Sequence, residues 1–149
     1  LNNPLNHVAV DPDDRIWECL EQNRSINDCK FHILKGCISR KPVALAERDI
    51  CYGYCTTSVP TDAPTSVKSY TLEEVQEMYG LKFTTLVADC EGFLGTFFEE
   101  NPWMYDQLNT VLYEEDCPEK CDYSLIMDNL KKHGFTNLWY GSHLVWKRM

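Results

Sequence analysis

Apolar residues along this chain fall in short runs whose period switches between about two and three to four, the signature of strands alternating with helices. His7–Val10 is an apolar run stopped by Asp11-Pro12, which predicts a buried strand held extended up to its proline. Asp13 and Asp14 favour the start of a helix, and Ile16, Cys19, Leu20 and Asn23 share one face of it as far as about Ser25. Lys30–Leu34 alternates as a strand, and Gly36–Ser39 and Pro42–Ala46 continue extended. Residues 47–66, with Gly53, Pro60, Pro64 and several Thr and Ser, read as a long irregular connection.

A second series follows. Thr71 and Glu74 form a capping box for a helix closed by Gly80. Thr84–Asp89 is a β-branched strand leading into Cys90-Glu91-Gly92. Phe93–Glu100 and Pro102–Leu108 predict two helical turns around a break, and Thr110–Tyr113 another strand ending in Glu114-Glu115-Asp116. Asp122 caps a helix with Leu125, Ile126 and Leu130 towards the core and Gly134 at its end. Thr136–Tyr140 and Leu144–Lys147 flank a three-residue loop and predict an antiparallel hairpin. The expected class is α/β, with a mostly parallel sheet and a C-terminal antiparallel hairpin. The 149 residues are expected to form a single domain.

Charge narrows the partners. The net charge of −9 argues against binding a phosphate backbone. Residues 61–130 hold 15 acids and 3 bases, whereas residues 131–149 hold 4 bases and no acid. Apolar runs stop at about five residues, far short of the twenty or so of a membrane span, so no transmembrane segment is expected.

Eight cysteines include the CxxxC pairs Cys51/Cys55 and Cys117/Cys121. Each could lend two thiolates to a zinc or enter a disulfide. The plainer reading makes Cys19, Cys37 and Cys90 small core residues and the others free thiols, with no metal site.

In an open parallel sheet ligands gather beyond the carboxyl ends of strands, and three such ends are acidic here: Asp11, Asp89 with Glu91, and Glu114–Asp116. A carboxylate there can accept from both hydroxyls of a ribose, and the three together could take a divalent cation. His32 and His143 are candidate bases by residue type alone.

Five segments in order carry a resemblance: His7–Pro12 with Trp17, Leu20, Asn23 and Asn27; Phe31–Ser39; Val67–Leu72; Leu86–Gly92; and Leu112–Glu115. Together they resemble the S-adenosylmethionine-dependent methyltransferases of the FkbM type, over residues 7 to about 147. The resemblance implies an incomplete Rossmann-like methyltransferase fold. It puts Asp11 on the ribose of the cofactor, Gly36, Cys37 and Ile38 beside the adenine, and Asp89 and Glu91 near the methionine part and the acceptor. It also implies a first strand and glycine-rich loop ahead of Asp11, whereas no glycine stands among residues 1–35. Gly92-x-x-Gly95, after a later strand, is a poor substitute.

The expectation is therefore a non-catalytic accessory or structural subunit of a larger assembly. Other protein subunits would cover its sheet edges, with no cofactor bound by this chain. The alternative is the C-terminal part of an active O-methyltransferase using S-adenosylmethionine. The leading Leu1 suits a chain processed on import into an organelle, plastid or mitochondrion; the other expectation is the cytoplasm. A zinc-stabilised or redox thiol domain is the remaining reading.

Overall fold

The computed structural model describes residues 4–46 and 56–149. The chain divides into two compact units, one up to Leu81 and one from Lys82 onward.

In the first unit β1 (Val8–Asp11) and β2 (His32–Lys35) pair in parallel, with Val8 opposite His32 and Asp11 opposite Lys35. The crossover between them is α1 (Asp14–Ile26). Asp13 caps this helix by accepting the Arg15 N–H at 3.0 Å, and the Trp17 indole N–H donates to the Asp11 carbonyl at 2.8 Å. β3 (Cys37–Ile38) pairs in parallel with β6 (Ser69–Tyr70), and β4 (Val43–Ala46) pairs antiparallel with β5 (Thr57–Pro60). α2 (Leu72–Tyr79) opens on the expected capping box: Thr71 Oγ accepts the Glu74 N–H at 3.2 Å, and Glu74 Oε2 accepts the Thr71 N–H at 2.7 Å. Leu34, Cys37, Val43, Leu72 and Val75 form the core.

Two expectations change here. Thr57–Pro60 is a strand, so the second half of the supposed irregular connection 47–66 is one arm of a hairpin; residues 47–55 lie outside the described residues. The face of α1 is only half covered: none of its residues is fully buried, and Cys19 is exposed. Strands lie only about 4.8 Å apart, so a two-stranded ribbon offers too narrow a surface to bury thirteen residues of helix.

The second unit holds a four-stranded sheet in the order β9 (Phe135–Tyr140), β10 (His143–Arg148), β8 (Thr110–Glu114), β7 (Thr85–Ala88). β7 and β8 are parallel, and the other two pairings are antiparallel. The C-terminal hairpin forms with its three-residue loop, Tyr140 opposite Leu144. It lays β10 rather than β9 against β8, because Leu144 and Trp146 stand opposite Tyr113 and Val111 and all four are buried together. α3 (Leu94–Glu100), α4 (Met104–Gln107) and α5 (Tyr123–Lys132) supply Leu94, Phe97, Phe98, Met104, Tyr105, Ile126 and Leu130 to this core. Leu125, expected inside, is 52% exposed, since it stands about 100° round the helix from Ile126.

The class is thus mixed α/β. A single, mostly parallel sheet does not form: the described strands make four sheets, three of them two-stranded. Among the described residues β1 pairs only with β2, and β7 only with β8.

Candidate functional site

Two groups of the sequence-named residues are brought together, one in each unit. In the first, the register of β1 on β2 sets Asp11 beside the turn after Lys35. The Gly36 N–H donates to the Asp11 carbonyl at 3.1 Å, and the Cys37 N–H to the Lys68 carbonyl at 2.8 Å. Gly36 is required by this close approach: a Cβ there would stand 2.5 Å from the Lys68 carbonyl oxygen. Ile38 is half-buried beside Tyr70, and Cys37 is buried. The Asp11 carboxylate accepts the Asp13 N–H at 2.8 Å. Burial pushes its pKa up, partly offset by that hydrogen bond, and the Asp13 charge pushes it further.

The second group is built on the turn after β7. Glu91 and Cys117 are non-glycine residues at positive φ, +50° and +40°, next to Gly92 at +85°. A Cβ on Gly92 would lie 2.8 Å from Lys120 Cβ, so the turn needs glycine there for space as well as for conformation. Asp116, from the triplet after β8, holds this turn in place. Its Oδ2 accepts the Glu91 N–H at 2.7 Å and its Oδ1 the Gly92 N–H at 2.9 Å. Tyr123 donates its hydroxyl to Oδ1 at 2.6 Å. Burial and the adjacent Asp116 carboxylate push the Tyr123 pKa well above that of a free phenol.

Carboxylate oxygens of Asp89, Glu91 and Asp116 lie within 4.8 Å of one another. Both oxygens of Asp116 already serve protein donors, which makes that residue a brace for the turn. The Cys117 thiol donates to Glu91 Oε2 at 3.4 Å. Burial and this carboxylate push Cys117 up to about 11 and burial pushes Cys90 to about 12, so both are protonated at neutral pH. No described cysteine belongs to a cluster of ligand atoms, and Cys51/Cys55 lie outside the described residues.

Comparisons of this chain with protein-family models, with curated proteins and with solved structures find no match.

The candidate histidines have local tasks. His32 Nε2 sits 3.0 Å from the Leu5 carbonyl oxygen, and its ring packs on Tyr79 with centroids 4.5 Å apart. His143 is exposed, 3.1 Å from Ser142 Oγ and 3.7 Å from Glu114. A cleft of about 680 Å³ in the first unit is lined by Arg40, Lys41, Asp62 and Glu74 among others, and includes none of the candidate cofactor-binding residues or histidines. Arg40 is paired with Glu73, and the lining acids balance the lining bases.

Sequence reasoning missed the bracing roles of Asp116 and Tyr123. An acid triplet after a strand was visible; that one of its members would accept two amides from another turn was not. No helix of the described residues is long and apolar enough to cross a membrane.

Proposed function

We propose that this chain is a methyltransferase-like module, related in plan to the FkbM type, that acts as a non-catalytic accessory subunit within a larger assembly. The observation that carries the reading is the pair of open strand edges. β1 and β7 each bond a single parallel neighbour among the described residues, and in the fold of the resemblance a strand lies against each of these edges. On β7, no residue of which is fully buried, Val87 is 68% exposed, an apolar side chain left without cover. Strands added by partner subunits would satisfy these backbone groups and cover such side chains.

One observation favours the second reading, a segment of an active O-methyltransferase. Asp11 and Gly36–Ile38, implied by the resemblance to meet ribose and adenine, do stand together. The fit is partial. The Gly36 and Cys37 amides are committed to protein carbonyls, and one oxygen of Asp11 accepts the Asp13 amide. That leaves the other oxygen of Asp11 for a hydroxyl. The cofactor, when bound, supplies an activated methyl group; Asp11 would only position it.

Calorimetric titration of the chain with S-adenosylmethionine separates the two. The accessory reading expects no heat of binding at micromolar concentrations. Micromolar binding that disappears in Asp11→Ala would replace it with the enzyme reading.

A further inference from the structure

The four-stranded sheet of the second unit presents two different faces. Alternation puts Val111 and Tyr113 of β8 and Leu144 and Trp146 of β10 on one side, all buried, with Tyr113 stacked on Tyr123 of α5. The residues between them point the other way, and the register lines them up across the strands. Trp139 of β9 stands opposite Val145 of β10, Val145 opposite Leu112 of β8, and Leu112 opposite Val87 of β7. One apolar row therefore crosses all four strands. Its middle, Val145 and Leu112, is half-buried, and its ends are open: Trp139 is 64% exposed and Val87 68%. To one side of the row stand Thr136, Lys147, Thr110 and Thr85; to the other stand Glu114 and His143, 3.7 Å apart. An exposed apolar row rimmed by polar ones marks an association surface.

We propose that this face binds a second copy of the chain, sheet against sheet, about a twofold axis that runs along the strands between β10 and β8. About that axis the face is complementary to itself. β9 lies over β7 of the second copy and β10 over its β8, so the bulky Trp139 meets the small Val87, and Val145 meets Leu112. Glu114 comes over His143 of the other copy, and Lys147 over its Thr110. No charged side chain faces its like, although each chain carries a net charge of −9. A face with bulk at one edge, a small side chain at the other and an acid beside an imidazole needs the same features in reverse order, and the twofold supplies them. Two such faces pack with strand directions within about 30° of each other. Four strands about 4.8 Å apart, each with five residues or so at about 3.4 Å, offer on the order of 300 Å² per copy, against about 600–1,000 Å² per partner in a stable complex. The dimer is therefore weak, reversible and formed at high concentration. It goes beyond the methyltransferase reading and does not rest on it, since it uses the side chains of the sheet face rather than the open backbone edges.

The test is sedimentation velocity of the full chain from about 20 μM to about 1 mM, with a thiol reductant so that no disulfide links copies. The expected result is a monomer at the lowest concentration and a rising share of dimer towards the highest. Val87→Lys, at an exposed position, and Trp139→Ala should each weaken association at least about tenfold while the far-UV circular dichroism stays that of the parent chain. The pairing itself is read by NMR in an equal mixture of isotope-labelled and unlabelled chains. Trp139 and Val87 sit on opposite edges of one sheet, three strand spacings or about 14 Å apart, so a filtered nuclear Overhauser contact between the Trp139 ring and the Val87 methyls crosses between copies. A chain that stays monomeric at about 1 mM, undiminished association in either folded variant, or dimers without the Trp139–Val87 contact would each overturn the proposal.

Discussion

At single residues the best-defined interaction is the brace at Asp116. One half-buried carboxylate satisfies two amides in a turn that contains a non-glycine residue at positive φ, and a phenol closes it from α5. Charge-assisted bonds to amides that have no other acceptor are the kind whose loss is felt in full. Asp116→Ala is expected to cost about 3 kcal/mol in urea denaturation, and Tyr123→Phe about 1 kcal/mol because the amides keep their acceptor. Equal losses in the two variants would show that the phenol, not the amides, is what matters. Asp11 gives a second prediction, with the opposite sense. Its pKa is raised by burial, so the folded chain binds the proton more tightly than the unfolded one. This group therefore favours folding below its unfolded pKa and costs stability as pH rises through the raised folded value. Asp11→Asn keeps the acceptor for the Asp13 amide and removes the buried charge. It should raise the urea midpoint at neutral pH and leave it unchanged near about pH 3. The strand end at Asp11 was legible because the local string of an apolar run, an acid and a proline defines it. The role of Asp116 was not, because it depends on a turn 24 and 25 residues away.

Elements follow the same division between local and distant causes. The capping box of α2 was legible in four consecutive residues and is present in full, and Gly80 ends the helix in the left-handed conformation, φ +63°. The β5 strand was missed because what makes it a strand is its pairing with Val43–Ala46, ten residues back along the chain past 47–56. Pro60 and a run of Ser and Thr argue locally for a loop, and the pairing overrides them. The hairpin was legible because its turn and both arms are contiguous. For α2 the expected cost of Thr71→Ala is about 1 kcal/mol. It should also change the acid limb of the stability curve. Hydrogen bonds from Thr71 hold the Glu74 carboxyl below its ordinary pKa. Its contribution is therefore present above the unfolded pKa and lost as pH falls through the depressed folded value. In Thr71→Ala one of these hydrogen bonds is gone, so the drop in Tm between about pH 6 and about pH 3 should be smaller than in the parent chain. An identical drop would mean that Glu74 gains nothing from the Thr71 hydroxyl.

Across the whole molecule, alternation of strand and helix was enough to give mixed α/β character but not the number of sheets. Periodicity records which residues want to be covered; it does not record which strands meet, and β1 and β7 each keep one parallel neighbour. The two units differ in how far they meet the demand for cover. From Lys82 onward, Leu108, Val111, Leu130 and Leu144 are wholly buried, Phe98 stacks on Tyr105 at 4.2 Å and Tyr113 on Tyr123 at 5.8 Å. Arg148 ties the chain's end inward, donating to the carbonyls of Leu108, His133 and Tyr105, with its guanidinium 4.7 Å from the Phe135 ring centre. Up to Leu81, the longest helix buries no residue fully and lies on a two-stranded ribbon. Local stability tracks the buried apolar contacts that must be broken to open a segment, so opening should be uneven along the chain. Hydrogen exchange read by mass spectrometry should find the amides of β8 and β10 exchanging at least about ten times more slowly than those of α1, a gap of roughly 1.4 kcal/mol in opening free energy. Exchange of α1 at the same rate as β8 and β10 would mean that its half-covered face contributes as much as a closed core.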